Sequence, residues 1–291
     1  MAIDYRYHFG SIVAIFVALL LGILVGIGLA PSPEEFNQKV ADLKKEYQEA
    51  RTYRDEELKQ AQAEKQESDT VAKEAVAAAV TGRLMGRRLA LVLNHRYSRE
   101  VADNLRALLT QAGATVTSTT TFTSDFVTMP EAVRTRVSQA LLLYPPADTP
   151  FRTAVAQALA RDLALGQAKL APGLQEAGLI QSTPGSTYNS TISAVLFVGG
   201  MEAPTDAAPE QIDVPFLAEL TRLSVRVVAC EPKGVKLSSV PVYKAQKLTT
   251  VDDADTLAGR LALIYTLQGA DGSFGVKPTA DRLLPAIPGA E

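Results

Sequence analysis

Residues 9–30 read FGSIVAIFVALLLGILVGIGLA, a run of 22 residues without a charged side chain. As an α-helix rising about 1.5 Å per residue, this run is long enough to cross a hydrocarbon core of about 30 Å. The sequence therefore predicts a single N-terminal transmembrane helix. A cleaved secretory signal is the alternative, but signal cores are shorter, at about 7–15 residues. Pro31 also follows the candidate cleavage position directly and fits poorly into a peptidase site, so we expect the helix to be retained.

The flanks of this run predict its orientation. Arg6 and His8 precede it, whereas Glu34 and Glu35 follow it and the first lysine beyond it is Lys39. Positive charge favours the cytoplasmic side of a membrane. We therefore expect a single-pass membrane protein with a cytoplasmic N-terminus and an extracytoplasmic bulk.

Small residues recur every four positions within the same run and would form one helix face. Such a stripe allows two helix backbones to approach closely. It predicts helix packing, and hence a homo-oligomer, through Ala14, Ala18, Gly22 and Gly26.

A long helical arm is predicted next, because residues 34–80 contain no glycine or proline and are rich in good helix formers. Ser32 suits the N-cap position and Pro33 the first turn. Apolar side chains at alternating spacings of four and three form the start of a coiled-coil seam: Phe36, Val40, Leu43 and Tyr47. The seam weakens further along, so a paired coiled coil and a single exposed spacer helix both remain open.

Charge excludes one class of function. Residues 34–80 hold 12 acidic and 8 basic residues, a net of −4, and the whole chain carries −3. The remainder is near +1 and has no extended basic patch, so we exclude nucleic-acid binding.

From residue 88 onward, short apolar runs alternate with amphipathic helical segments. Residues 89–93, 192–198 and 225–229 are typical of buried parallel strands, and the segment 139–144 is predicted to be another strand. The alternation predicts a three-layer α/β domain with a mostly parallel sheet. The expected organisation is an anchor over residues 1–30, an arm over 31–82, the α/β domain over 83–270 and a C-terminal tail over 271–291.

Motifs for catalysis are missing from the sequence. The loop over residues 94–98 lacks the glycines of a dinucleotide-binding turn, and no phosphate-binding loop or nucleophile elbow is present. Cys230 is the only cysteine and ends an apolar strand, which favours a buried thiol over a nucleophile. A Cu(I) site made of Met201, Cys230 and His95 is geometrically conceivable at one sheet edge, but no clustered copper motif is present. We expect no enzyme activity, no catalytic residue, no cofactor and no resident metal.

An acidic cluster, Asp252, Asp253 and Asp255, directly precedes the last predicted helix. Helix capping and interaction with the helix dipole explain such a cluster more simply than a metal site does.

Both ends of the chain resemble a known family. The opening segment 4–19, the segments 86–93 and 112–116, and above all residues 250–260, 275–281 and 283–285 are similar to MctB-like proteins, the mycobacterial copper transport protein family. The residues that carry the C-terminal resemblance are Asp252, Asp253, Asp255, Gly259, Arg260 and Gly275.

The resemblance implies a role in copper homeostasis, with pore formation in a mycobacterial envelope and copper as a possible ligand. The residues themselves leave two other hypotheses open. One is a scaffold or interaction protein whose arm presents an α/β domain to an unknown protein partner. The other is a tethered enzyme, which the strand-end loops disfavour.

Overall fold

The computed structural model describes residues 5–29, 32–94, 97, 99–146, 149–201 and 209–286. The chain divides into two units, Met1–Asp69 and Thr70–Glu291. The first unit is helical and contains α1 (Tyr5–Leu29) and most of α2 (Pro33–Val80).

The prediction of an N-terminal transmembrane helix is wrong. In the part of the chain that the structure describes, no helix combines the length and the apolar character needed to cross a membrane. Among the α1 side chains that the structure describes, the large apolar ones from Ile12 to Val25 are exposed.

The predicted arm is a single helix of 48 residues, α2. It begins with a capping box, in which the Glu35 backbone N–H donates to Ser32 Oγ and the Ser32 N–H donates to a Glu35 carboxylate oxygen, both at 3.3 Å. Of the predicted seam, Phe36, Leu43 and Tyr47 are exposed and Val40 is half-buried. The coiled coil stays a prediction.

The second unit is an α/β domain built on one seven-stranded sheet. Its strands are β1 (Arg88–Leu93), β2 (Thr115–Phe122), β3 (Ile180–Ser182), β4 (Ala194–Val198), β5 (Arg226–Cys230), β6 (Thr249–Val251) and β7 (Ser273–Phe274). Its helices are α3 (Arg99–Gln111), α4 (Ser124–Thr128), α5 (Glu131–Leu141), α6 (Phe151–Leu165), α7 (Ala171–Glu176), α8 (Asp213–Arg222), α9 (Val240–Ala245) and α10 (Leu257–Gln268).

The strand order is β3-β2-β1-β4-β5-β6-β7, and only the β2–β3 pair is antiparallel. The mostly parallel α/β architecture predicted from the sequence is therefore confirmed. The direction of strand addition reverses between β1 and β4, which defines a topological switch point there. Residues 271–286, assigned to a tail by the sequence, contribute β7 to this sheet.

Helices cover both faces of the sheet and complete three layers. Leu89, Leu91 and Leu93 of β1 point to a face that is covered by α3, α10 and the end of α2. Ala90 and Val92 point to the opposite face, which α4 to α9 cover. Because successive side chains of a strand alternate between faces, a strand buried on both sides reads as a continuous apolar run.

The strand predicted over residues 139–144 is wrong. Residues 139–141 form the end of α5, and Leu142 follows in the left-handed conformation with φ 51°. Leu142 and Tyr144 are exposed. A short apolar run cannot be assigned to strand or helix by its pattern alone.

A buried carboxylate joins α6 to α8 on one face of the sheet. Glu219 of α8 is almost fully buried and accepts hydrogen bonds from Arg161 Nε (2.5 Å) and from Arg222 Nε and Nη2 (3.0 and 2.8 Å). The hydrogen bonds from Arg222 lower the pKa of Glu219 to about 2; burial opposes this shift and the hydrogen bond from Arg161 reinforces it.

Replacing Glu219 by glutamine should lower the free energy of unfolding by about 1–2 kcal/mol at pH 7. The full pKa shift corresponds to about 3 kcal/mol, but both arginines are half exposed and solvent screens them. A lowered carboxyl pKa stabilises the fold above its unfolded value near 4.3, and that stabilisation is lost as the pH falls through about 2. Urea titrations at several pH values should therefore show the free energies of unfolding of the parent and the variant converging as the pH falls below about 4.

Glu176→Gln, at an exposed position, is the control for this substitution. A Glu219→Gln variant that stays equally less stable than the parent down to pH 2 would contradict the prediction.

Candidate functional site

Ligands of open α/β sheets bind outside the carboxyl ends of the strands, at the switch point. Here that position lies between the ends of β1 and β4. Tyr97 Oη donates to the Gly199 carbonyl at 2.6 Å, and Asn94 Nδ2 donates to the Gly200 carbonyl at 3.3 Å. Hydrogen bonds within the chain therefore bridge the two strand ends. His95, Arg96 and Ser98 of the same loop lie outside the described residues.

The glycine at the end of β4 accommodates a buried tyrosine. A Cβ at Gly199 would overlap the phenol of Tyr243, whose hydroxyl donates to Asp213 Oδ2 at 2.5 Å. Burial, and then the Asp213 carboxylate, raise the pKa of Tyr243 well above its ordinary value. This phenol therefore stays protonated and acts as a structural donor.

A fully buried carboxylate follows β5. Glu231 accepts hydrogen bonds from Ser238 Oγ at 2.5 Å, from the Ser239 backbone N–H at 2.9 Å and from Lys277 Nζ at 2.5 Å. Lys277 is 17% exposed and Glu231 is 0% exposed. The ion pair thus fixes the segment after β7 to the carboxyl end of β5.

A second buried carboxylate follows β6 and binds the same segment. Asp252 accepts from the backbone N–H groups of Val276 (2.8 Å) and Lys277 (3.2 Å). Gly275 lies directly against Asp252, and a Cβ there would overlap its carboxylate. Asp252 and Gly275, both predicted from the family resemblance, therefore form one contact.

Three more of the predicted residues surround the start of α10. Thr256 is the N-cap of α10, and its hydroxyl oxygen accepts a hydrogen bond from the Gly259 N–H at 3.0 Å. The same hydroxyl donates a hydrogen bond to Asp253 Oδ2 at 2.8 Å. Asp253 Oδ1 is buried and has no hydrogen-bond partner among the described residues. Burial raises the pKa of Asp253. The hydrogen bond from Thr256 opposes this shift, and the charges of Asp252 and Asp255 reinforce it. Asp255 Oδ1 accepts from the Lys233 N–H at 2.6 Å.

The sixth predicted residue, Arg260, is half-buried on α10 and lines a cavity at this edge together with Asp255. The structure thus brings all six residues with the C-terminal resemblance to the carboxyl ends of β5, β6 and β7.

The stripe residues Ala14, Ala18, Gly22 and Gly26 lie exposed on α1, with open space at both glycines. Self-association through the stripe and the seam stays a prediction.

The thiol is buried, as the sequence predicted. Cys230 ends β5 with 0% exposure, and burial, then Glu231 and Asp255, raise the pKa of its thiol strongly. Met201 forms an isolated bridge with Leu237, and the third member of the conceivable copper cluster, His95, lies outside the described residues. Among the residues that are described, no group of three or more His, Cys, Asp or Glu side chains could hold a metal ion.

Sequence reasoning missed Glu231, Lys277 and the Tyr243–Asp213 pair. Glu231 directly follows the apolar strand β5, just as Asp252 follows β6, and that shared position was a usable signal. Lys277 lies within the segment 275–281 that carries the resemblance, but its pairing with Glu231, 46 residues away in sequence, had no signal. No signal marks Tyr243, whose partner Asp213 lies 30 residues away.

These elements define a mostly parallel α/β domain of the doubly wound kind, whose carboxyl edge is closed by carboxylates bonded within the chain. The family whose model matches residues 2–285 is described as copper transport outer membrane protein, MctB. The chain belongs to this family, and the resemblance predicted from its two ends is confirmed. No curated protein matches the chain.

Proposed function

We propose that this protein takes part in copper transport at an outer membrane, in a non-enzymatic role that it performs through contacts with other proteins. The copper role and the location rest on the family description. The family description does not say whether a member binds copper itself or supports other components that bind it. The residues of the α/β unit favour the second alternative.

The observation that carries this proposal is the state of the only thiol. Cu(I) prefers thiolate and thioether ligands gathered in one coordination sphere. Cys230 is fully buried, and its raised pKa opposes formation of the thiolate that Cu(I) requires. The carboxyl edge next to it is already occupied by the Glu231–Lys277 ion pair.

Titration of the purified full chain with Cu(I) against a competing chelator should reveal no tight stoichiometric binding. Cys230→Ala should leave this result unchanged and should restore copper tolerance as well as the parent does in cells that lack the protein. The matched control is Met85→Leu, which removes a thioether that is 77% exposed.

Submicromolar Cu(I) binding that disappears in Cys230→Ala would overturn the proposal, provided that the variant unfolds at the same temperature as the parent. Copper handling would then be intrinsic to this chain. Failure of the parent to restore tolerance would overturn the copper role itself.

A further inference from the structure

A cavity of about 160 Å³ lies beside the carboxyl edge of the sheet. Leu105 and Leu108 of α3 and Val198 at the end of β4 form much of its apolar wall. Asp255 and Arg260, near the start of α10, also line it. Every lining residue belongs to the described part of the chain, and none belongs to the bridge between β1 and β4.

Arg260 differs from the other five residues with the C-terminal resemblance. The three aspartates accept hydrogen bonds within the chain. The two glycines lie where a Cβ would overlap a neighbouring atom. Structural contacts therefore explain all five. The guanidinium of Arg260 has no hydrogen bond or ion pair within the described residues, although the residue is half-buried. A guanidinium beside an apolar wall is suited to binding a carboxylate through paired hydrogen bonds.

Asp255, the negatively charged residue at the cavity, can accept further hydrogen bonds. Asp255 accepts one backbone hydrogen bond, from Lys233 to Oδ1, and its side chain is exposed. In the described structure no ion pair joins Asp255 to Arg260, so the two charges do not neutralise each other across the cavity. A simple anion would be attracted by Arg260 and repelled by Asp255. A ligand with both charges would be attracted by both residues.

We propose that this cavity binds a free apolar α-amino acid. The ligand's side chain fills the cavity, its carboxylate binds Arg260 and its ammonium group binds Asp255. An apolar cavity of about 150 Å³ is known to hold a benzene ring. The volume here therefore suits the side chains of leucine, isoleucine and phenylalanine.

Calorimetric titration of the purified full chain tests the proposal with L-leucine as the probe. We expect saturable binding of one leucine per chain. Two leucine analogues separate the charges: 4-methylpentanoate lacks the ammonium group and 3-methylbutylamine lacks the carboxylate. Each should bind about tenfold more weakly than leucine, because each loses one charge-assisted contact.

Variants assign each charge to its residue. Arg260→Gln should weaken leucine binding about tenfold but should not weaken 3-methylbutylamine binding, because the guanidinium repels this cation. Asp255→Asn should weaken leucine binding similarly but should not weaken 4-methylpentanoate binding, because the carboxylate repels this anion. Arg136→Gln and Asp103→Asn, at exposed positions outside the cavity, are the matched controls and should bind leucine as the parent does.

Two results would overturn the proposal. One is the absence of leucine binding to the parent at millimolar concentration. The other is leucine binding no tighter than that of 4-methylpentanoate, which would remove the role of Asp255. Both are measured on the unaltered chain and do not depend on how the variants fold, and neither bears on the copper titration.

Discussion

Replacing Gly259 by alanine should lower the free energy of unfolding of the α/β unit by about 3 kcal/mol or more. Gly259 is buried in the first turn of α10, and a Cβ there would overlap the backbone carbonyl oxygen and carbon of Asp253. A backbone atom cannot rotate away as a flexible side chain can. Separating the two would also pull Thr256, the N-cap, away from Asp253 Oδ2. Urea denaturation followed by circular dichroism measures the loss.

Gly234→Ala is the matched control for this substitution. A Cβ at Gly234 meets open space and the backbone there has no positive φ. This variant should be as stable as the parent or slightly more stable, because alanine restricts the unfolded chain. A Gly259→Ala protein within about 1 kcal/mol of the parent, below the usual cost of overpacking, would mean that the turn from Asp253 to α10 is looser than described.

Replacing Lys277 by methionine should cost about 3 kcal/mol, because it leaves Glu231 buried without its counter-ion. The hydrogen bonds from Ser238 and the Ser239 N–H remain, but they do not neutralise the carboxylate. The same denaturation assay measures this loss. It should be specific to the α/β unit, since both partners lie within Thr70–Glu291.

The double variant Glu231→Gln with Lys277→Met separates charge from packing. It removes both charges, so it should recover a large part of the stability lost in Lys277→Met alone. Lys236→Met, at an exposed position, should change stability by less than about 0.5 kcal/mol. Equal losses in the double variant and in Lys277→Met would show that the lysine stem, rather than its charge, stabilises this edge.

The central strands were predictable because both of their faces are buried. β1, β4 and β5 are apolar along almost their whole length, and sequence alone identified all three. β6 and β7 were not identified, because they contain three and two residues and include Thr249, Thr250 and Ser273. Such short, polar strands depend on neighbours in the sheet that the local sequence does not reveal. The helix assignment for α1 was also predictable, whereas its assignment as a membrane span was wrong.

The candidate site was predictable in its members but not in its contacts. The resemblance singled out Asp252 and Gly275, yet their mutual contact depends on β7 pairing with β6. The interpretation of the acidic cluster as helix caps was too simple. Thr256 caps α10, while Asp253 orients Thr256 and Asp255 binds the Lys233 N–H.

The closed carboxyl edge imposes an order on biosynthesis. Glu231 and Asp252 leave the ribosome before the lysine and the backbone N–H groups that satisfy them, which follow 46 and 24 to 25 residues later. A nascent chain that ends before residue 276 therefore lacks the counter-ion of Glu231 and both backbone donors to Asp252 at the place where the sheet must close.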